Sequence, residues 1–220
     1  MFWCSDSTTK KFIKILDSWK ALKNTFNLWR FLFVLKAEEA MSEVEITGGS
    51  ADATSAWFEA SGAPNNAFIR GNALPWFSGS DKKNTGIFPQ MVWYDFGHGK
   101  AFVPARVSFR GRPDCENLSC RQQTPSIWEF VGSNDNACAG SGNWTVLCQD
   151  LSDVVPRDMM ETKFCDVNYS NPTMQQREYR CLGINAIRAH NPYGWTALSN
   201  ARMWKNVVQT GIMKNATQFL

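Results

Sequence analysis

A chain of 220 residues, 44% hydrophobic and 13% aromatic with 10 tryptophans, has ample apolar surface to bury, which excludes an intrinsically disordered chain. The formal charge of +3 is concentrated in residues 1–36, where seven Lys and Arg meet Asp6 and Asp17, so residues 37–220 hold 16 basic and 18 acidic side chains. A body without a clustered basic face is not a nucleic-acid binder.

Along the chain, Phe12, Ile15, Leu16, Trp19, Leu22, Phe26, Trp29 and Phe33 recur at helical spacing beside Lys11, Lys14, Lys20 and Lys23, which predicts a cationic amphipathic helix. Its longest apolar run, residues 31–35, is bounded by Arg30 and Lys36, far short of the about 20 apolar residues a membrane span needs. It also makes a poor signal peptide, because the basic region is long and Arg30 interrupts the apolar stretch. Such a helix either lies on a membrane surface or packs against the body or a partner. The pattern changes near residue 42, which divides the chain into a helical extension (1–41), a sandwich (42–206) and a tail (207–220).

Past a Gly-, Ser-, Ala- and Asn-rich stretch over 48–71, short aromatic and β-branched runs separated by turn residues predict strands. Residues 91–96 read as one strand, and Gly97-His-Gly-Lys100 has the glycines of a tight connection. In the next, Ala105, Val107 and Phe109 alternate with Arg106, Ser108 and Arg110, as a strand with one wet face requires. Four further runs, over 128–131, 144–148, 179–184 and 197–204, complete the expectation of a mainly β, antiparallel jelly-roll β-sandwich with an N-terminal amphipathic helix.

Seven cysteines lie at 4, 115, 120, 138, 148, 165 and 181, with no C-x-x-C among them. That argues against a zinc ribbon and for disulfides among Cys115, Cys120, Cys138, Cys148, Cys165 and Cys181 in an oxidising compartment. Of the fifteen connectivities six cysteines allow, closure of short loops favours Cys115–Cys120, Cys138–Cys148 and Cys165–Cys181. Sequons at Asn117, Asn143, Asn168 and Asn215 agree with secretion; Asn171 is excluded by Pro172.

The order of these pieces resembles the coagulation factor V/VIII type C, or discoidin, domain, a galactose-binding-like jelly roll. Glu45-Ile-Thr-Gly-Gly-Ser50 is similar to its opening strand, Asn66-Ala-Phe-Ile-Arg-Gly71 with Leu74-Pro-Trp76 to its turn before a tryptophan, and Phe88 through Gly97 to its long central strand. Trp128-Glu-Phe-Val-Gly-Ser-Asn-Asp135, Trp144-Thr-Val-Leu147, Tyr179-Arg180 and the run 197–204 follow in the family's order. The likeness covers roughly residues 43–205. It implies a ligand surface on loops at one end of the sandwich, binding glycan, an anionic phospholipid headgroup or a cell-surface protein.

Carried over, three loops matter: the segment with Trp57 and Phe58, the segment with Lys82 and Lys83, and the one after the alternating strand with Arg110 and Arg112. The aromatics suit a sugar face, and the cations suit carboxylate, sulfate or phosphate. Sugar-binding relatives often hold calcium near the turn before the tryptophan. Here Arg70 stands where an Asp is expected and Asn200 replaces a carboxylate, so the cage lacks charge and neither a metal nor a cofactor is expected. His98 and His190 stand alone, and no nucleophile, phosphate-loop or zinc motif appears. The expected function is a non-catalytic extracellular or cell-surface domain that binds glycan; the alternative is a structural, protein-interaction or phospholipid-binding module anchored by the helix.

Overall fold

The structure, a computed structural model, describes residues 41–56, 62–71, 74–79, 88–115, 117–136, 138–158, 161–170, 176–191 and 194–207. The expected amphipathic helix and most of the tail lie outside them. Among the described residues no helix is long and apolar enough to cross a membrane.

Two antiparallel sheets carry the fold. The first runs in the order β1 (Met41–Glu43), β10 (Ala197–Asn206), β5 (Pro104–Arg110) and β8 (Lys163–Asp166), with the short β3 (Trp76–Phe77) added to the start of β10. The second runs β2 (Ser50–Ala53), β4 (Gln90–Asp95), β9 (Cys181–Arg188), β6 (Ile127–Ser133) and β7 (Thr145–Asp150). Among the described residues, helix is confined to a 3-10 turn, Pro64–Ala67, and to one turn, α1 (Leu118–Arg121), whose Cys120 N–H donates to the Asn117 side-chain oxygen.

The alternation in β5 is realised: Val107 and Phe109 are fully buried between the sheets, while Arg106 and Arg110 stand on the outer face. β4 and β9 do not alternate, because they are buried on both sides. On the outer side, Met91, Trp93 and Val131 are covered by the segment carrying Cys138 and Trp144. On the inner side, Trp76, Trp128, Phe109 and Phe130 form the centre of the core, with Phe109 edge-on to Trp128 at 4.7 Å between centroids.

Two expectations are corrected. Glu45 to Gly49 is not an opening strand but the crossing from β1 to β2. Gly48 takes φ +69, and a Cβ on Gly49 would lie 2.0 Å from the Asp95 carbonyl, so the backbone is pressed against β4 where a ladder has no room. The disulfides are Cys115–Cys120, Cys138–Cys181 and Cys148–Cys165, with Cα separations of 5.9, 6.0 and 6.1 Å. Only the first matches the short-loop expectation. Register decides the other two. Ser133 at the end of β6 stands opposite Cys181, so the chain leaving β6 brings Cys138 back onto β9. Cys148 on β7 and Cys165 on β8 belong to the outermost strands of opposite sheets, and their bond closes one side of the sandwich.

Strand direction gives the domain two distinct ends. At one end lie Met41, Asn206, Pro104, Asp95 and Cys181. Here Arg180 grips Asp95 with two bonds of 2.8 and 2.5 Å, the Gly97 N–H adds a third, and Gly97-His-Gly-Lys100 forms the tight connection expected, with both glycines at positive φ. The Arg180 hydrogen bonds, chiefly, hold the Asp95 carboxyl below its ordinary 3.8. A depressed carboxylate stabilises the fold fully above the unfolded value, and that contribution is lost as pH falls through the folded value. The melting temperature is therefore expected to fall on acidification below about pH 4. Asp95→Asn lowers it at pH 7 and flattens the acid limb in a pH series of thermal melts.

Candidate functional site: the loop rim

At the opposite end four connections meet. The chain leaves β2 through Thr54 and Ser55, and the Ser55 side chain accepts from the Gly79 N–H at 2.9 Å and donates to Gln90 at 2.5 Å. Trp76 donates its indole N–H to the Ser55 carbonyl at 3.0 Å. Ser78 and Thr196 exchange bonds of 2.8 and 2.7 Å, and the Thr196 hydroxyl donates to the Gln123 carbonyl at 2.7 Å. Ser199 donates to the Gly111 carbonyl at 2.6 Å, and a Cβ on Gly111 would lie 2.2 Å from the Thr124 hydroxyl oxygen. The segments following β2, β3, β5 and β9 are thus tied to one another at their bases.

On this base stands a platform of Phe77, Arg112 and Trp195. The Arg112 guanidinium lies 4.6 Å over the Phe77 ring centroid, and Phe77 and Trp195 are 6.2 Å apart at an interplanar angle of 40°. Arg112 is fixed by two bonds to Asp114, 2.8 and 2.6 Å, and by one to the Gln123 side chain, 3.1 Å. Its side chain is 19% exposed and that of Asp114 32%, so both still reach solvent. The hydrogen bonds from Arg112 lower the Asp114 pKa against the opposing effect of burial. Donors and acceptor are held in place with their charges mutually cancelled, beside apolar ring faces.

Of the sequence-predicted residues, Arg112 belongs to the platform. Arg110 does not: it is the last residue of β5, on the outer face of the first sheet, where its Nε donates to the Thr162 hydroxyl at 3.1 Å. Trp57, Phe58, Lys82 and Lys83 lie outside the described residues. Phe77, Trp195, Asp114 and Gln123 were not singled out from sequence. The signals were Arg-Pro-Asp at 112–114, a spacing suited to a bidentate pair, and a second aromatic directly after Trp76.

The two histidines form no catalytic relay. His98 is exposed in the turn at the other end. His190 Nε2 lies 2.9 Å from Asp153 Oδ1, the same oxygen that accepts from Ser126 at 2.7 Å, while Arg188 holds Oδ2 at 2.8 Å. The carboxylate, not the imidazole, touches the hydroxyl, so the imidazole is not placed to take the Ser126 proton. The hydrogen bond from Ser126, then the charges of Arg188 and His190, lower the Asp153 pKa. This cluster ties the β7–β8 connection to the end of β9.

Arg70 is paired with Glu43 at 2.5 Å. Asn200 takes φ +51 in the irregular part of β10. Among the described residues, Asp95, Cys138 and Cys181 bring three metal-ligand atoms together. Two of these are the sulfurs of a disulfide and the third is held by Arg180, so that group is not a metal site.

No protein-family model and no curated protein sequence matches the chain. Solved structures do. The family 32 carbohydrate-binding module of NanJ from Clostridium perfringens, in complex with galactose, superposes with a TM-score of 0.53 at 16% identity, covering 76% of this chain and 100% of the module. A second Clostridium perfringens family 32 module, in complex with GalNAc-β-1,3-galactose, gives 0.51 at 14% identity over 74% of this chain and 99% of that one. The tandem family 32 modules of Clostridium perfringens ZmpB, in complex with GalNAc, give 0.51 at 16% identity, with 83% of this chain and 40% of that chain covered. The fold is therefore the galactose-binding-like, discoidin-type sandwich.

Proposed function

We infer that this is a non-catalytic, extracellular glycan-binding domain and that the loop rim is its binding site. The observation that carries this reading is the Arg112–Asp114 pair stacked on Phe77. A pyranose presents an apolar C–H face and a fringe of hydroxyls that both donate and accept. A ring beside a fixed guanidinium and carboxylate supplies what each part needs, without a net charge that would favour an ion. The sequence resemblance adds Trp57, Phe58, Lys82 and Lys83 to the proposed ligand surface. Three disulfides support an oxidising compartment.

The finer assignment to factor V/VIII type C domains rests on the motif order in the sequence. The phospholipid headgroup that assignment also allows is disfavoured, because Asp114 cancels the charge of Arg112. Two of the similar structures are complexes with galactose and with GalNAc-β-1,3-galactose, which makes these sugars the first ligands to test.

In calorimetric titration of the disulfide-intact protein, Arg112→Ala and Phe77→Ala are each expected to weaken binding of GalNAc-β-1,3-galactose by ~10-fold or more. Arg112→Ala should keep the parent's cooperative melt. Unchanged affinity in both variants would overturn the assignment of the rim.

A further inference from the structure

A second surface lies on the outer face of the first sheet, away from the rim. Cross-strand register arranges it in rows. One row reads Glu43, Trp204, Arg106, Asp166 across β1, β10, β5 and β8; the next reads Arg202, Ser108, Phe164; Arg110 follows on β5. Phe164 is 61% exposed although it sits in the middle of a strand. The Arg106 guanidinium lies 5.5 Å from the Phe164 ring centroid, oriented by two bonds to Asp166. Ser108, a small residue 6% exposed, stands between Arg202 and Phe164 in the register.

Charge is graded along this face. Both carboxylates belong to the row of Arg106. The rows of Ser108 and Arg110 hold two guanidiniums and no carboxylate. Arg110 donates to a neutral hydroxyl, and the Arg202 Nε stands 3.9 Å from a Glu43 oxygen that Arg70 holds at 2.5 Å. Arg202 and Phe164 are two strands apart, about 10 Å between backbones. This basic patch lies on a body with 16 basic and 18 acidic side chains over residues 37–220, so the basic character is segregated rather than general.

We propose that this face, with Phe164 on the outermost strand and Arg110 and Arg202 on the two strands beside it, is a second glycan-binding surface, selective for oligosaccharides bearing sulfate or carboxylate groups. The exposed ring takes the C–H face of a sugar. The two guanidiniums, both inward of Phe164 across the sheet, take anionic substituents further along the chain of sugars, since planar N–H donors match such oxygens in pairs. A protein partner fits less well, because two aromatics among arginines offer too little apolar area for the buried centre of a stable interface. The surface is separate from the rim, so one protein has two glycan sites of different charge preference.

The test titrates the full, disulfide-intact protein with a sulfated heparin oligosaccharide, with oligogalacturonate and with neutral GalNAc-β-1,3-galactose. Phe164→Ala and the double variant Arg110→Ala/Arg202→Ala are expected to lose ~10-fold or more in affinity for the acidic probes and to keep affinity for the neutral one. Phe164→Tyr is expected to retain acidic-probe binding. Arg112→Ala is expected to do the reverse of the face variants. Raising ionic strength from about 0.15 M to about 1 M cuts the screening length from about 8 Å to about 3 Å, and should weaken only the acidic probes. No acidic-probe binding by the parent, or equal binding by parent and face variants, overturns the proposal and leaves the rim untouched. Binding of phosphatidylserine vesicles through the face in place of the acidic glycans also overturns it. Failure of the neutral probe alone counts against the rim instead.

Discussion

Replacing Trp76 with alanine is expected to lower the melting temperature by roughly 6–20 °C, from a loss of about 3–5 kcal/mol. Trp76 is 0% exposed, one of the largest side chains buried in the core. Truncation leaves a cavity that the surrounding strands, fixed in their ladders, collapse into only partly. It also removes the indole bond to the Ser55 carbonyl, which joins the exit of β2 to β3. Because Phe77 is the next residue and is held by pairing with Ala197, the platform should loosen with the core. The variant is therefore expected to lose both stability and glycan affinity. Trp76→Phe keeps most of the volume and should cost only about 1 kcal/mol for the missing hydrogen bond together with a small cavity. Thermal melts and titrations of the two variants separate these contributions. Equal melting temperatures for the parent and Trp76→Ala would contradict the core described here.

Removing the Cys138–Cys181 bond as Cys138→Ala/Cys181→Ala is expected to cost about 4 kcal/mol, since closing a loop of 43 residues takes that much entropy from the unfolded chain. The Cys148–Cys165 bond closes 17 residues and should be worth about 3 kcal/mol, and Cys115–Cys120, closing five, about 2 kcal/mol. Chemical denaturation of the three pairwise variants should follow this order. The first pair lies beside Asp95 and Arg180, at the end opposite the rim, so its loss should leave glycan affinity at low denaturant unchanged. A loss of affinity there equal to that of Arg112→Ala would mean that the two ends are not independent.

Much of the strand order was legible in the sequence, for a physical reason that differs between strands. β5 alternates because one of its faces is wet, and β4 carries a continuous apolar run over residues 91–94 because a loop covers its second face. The crossing at residues 44–49 carries the same β-favouring Val44 and Ile46 as a strand, and its glycines settle its path only through contacts with β4 that sequence does not display. Disulfide pairing was misread for the same kind of reason. Cys138 and Cys148 are close in sequence, but β6–β9 register brings Cys138 to Cys181.

Arg110 and Arg112 look like one cationic loop in sequence. The strand ends between them, at a glycine whose missing side chain makes room for Thr124, and they face different surfaces. Phe77 and Trp195 could not be told from core aromatics, because their meeting depends on the pairing of β3 with β10 across a separation of more than a hundred residues.

Sugar is expected to be recognised at the end of the sandwich where Phe77, Arg112 and Trp195 converge. A crystal structure of the protein with GalNAc-β-1,3-galactose tests it most directly. A pyranose ring is expected with carbon atoms within about 4.5 Å of the Phe77 or Trp195 ring and a hydroxyl bonded to Arg112 or Asp114. The same sugar seated at the opposite end, beside Asp95 and Arg180, with the rim empty, would contradict it.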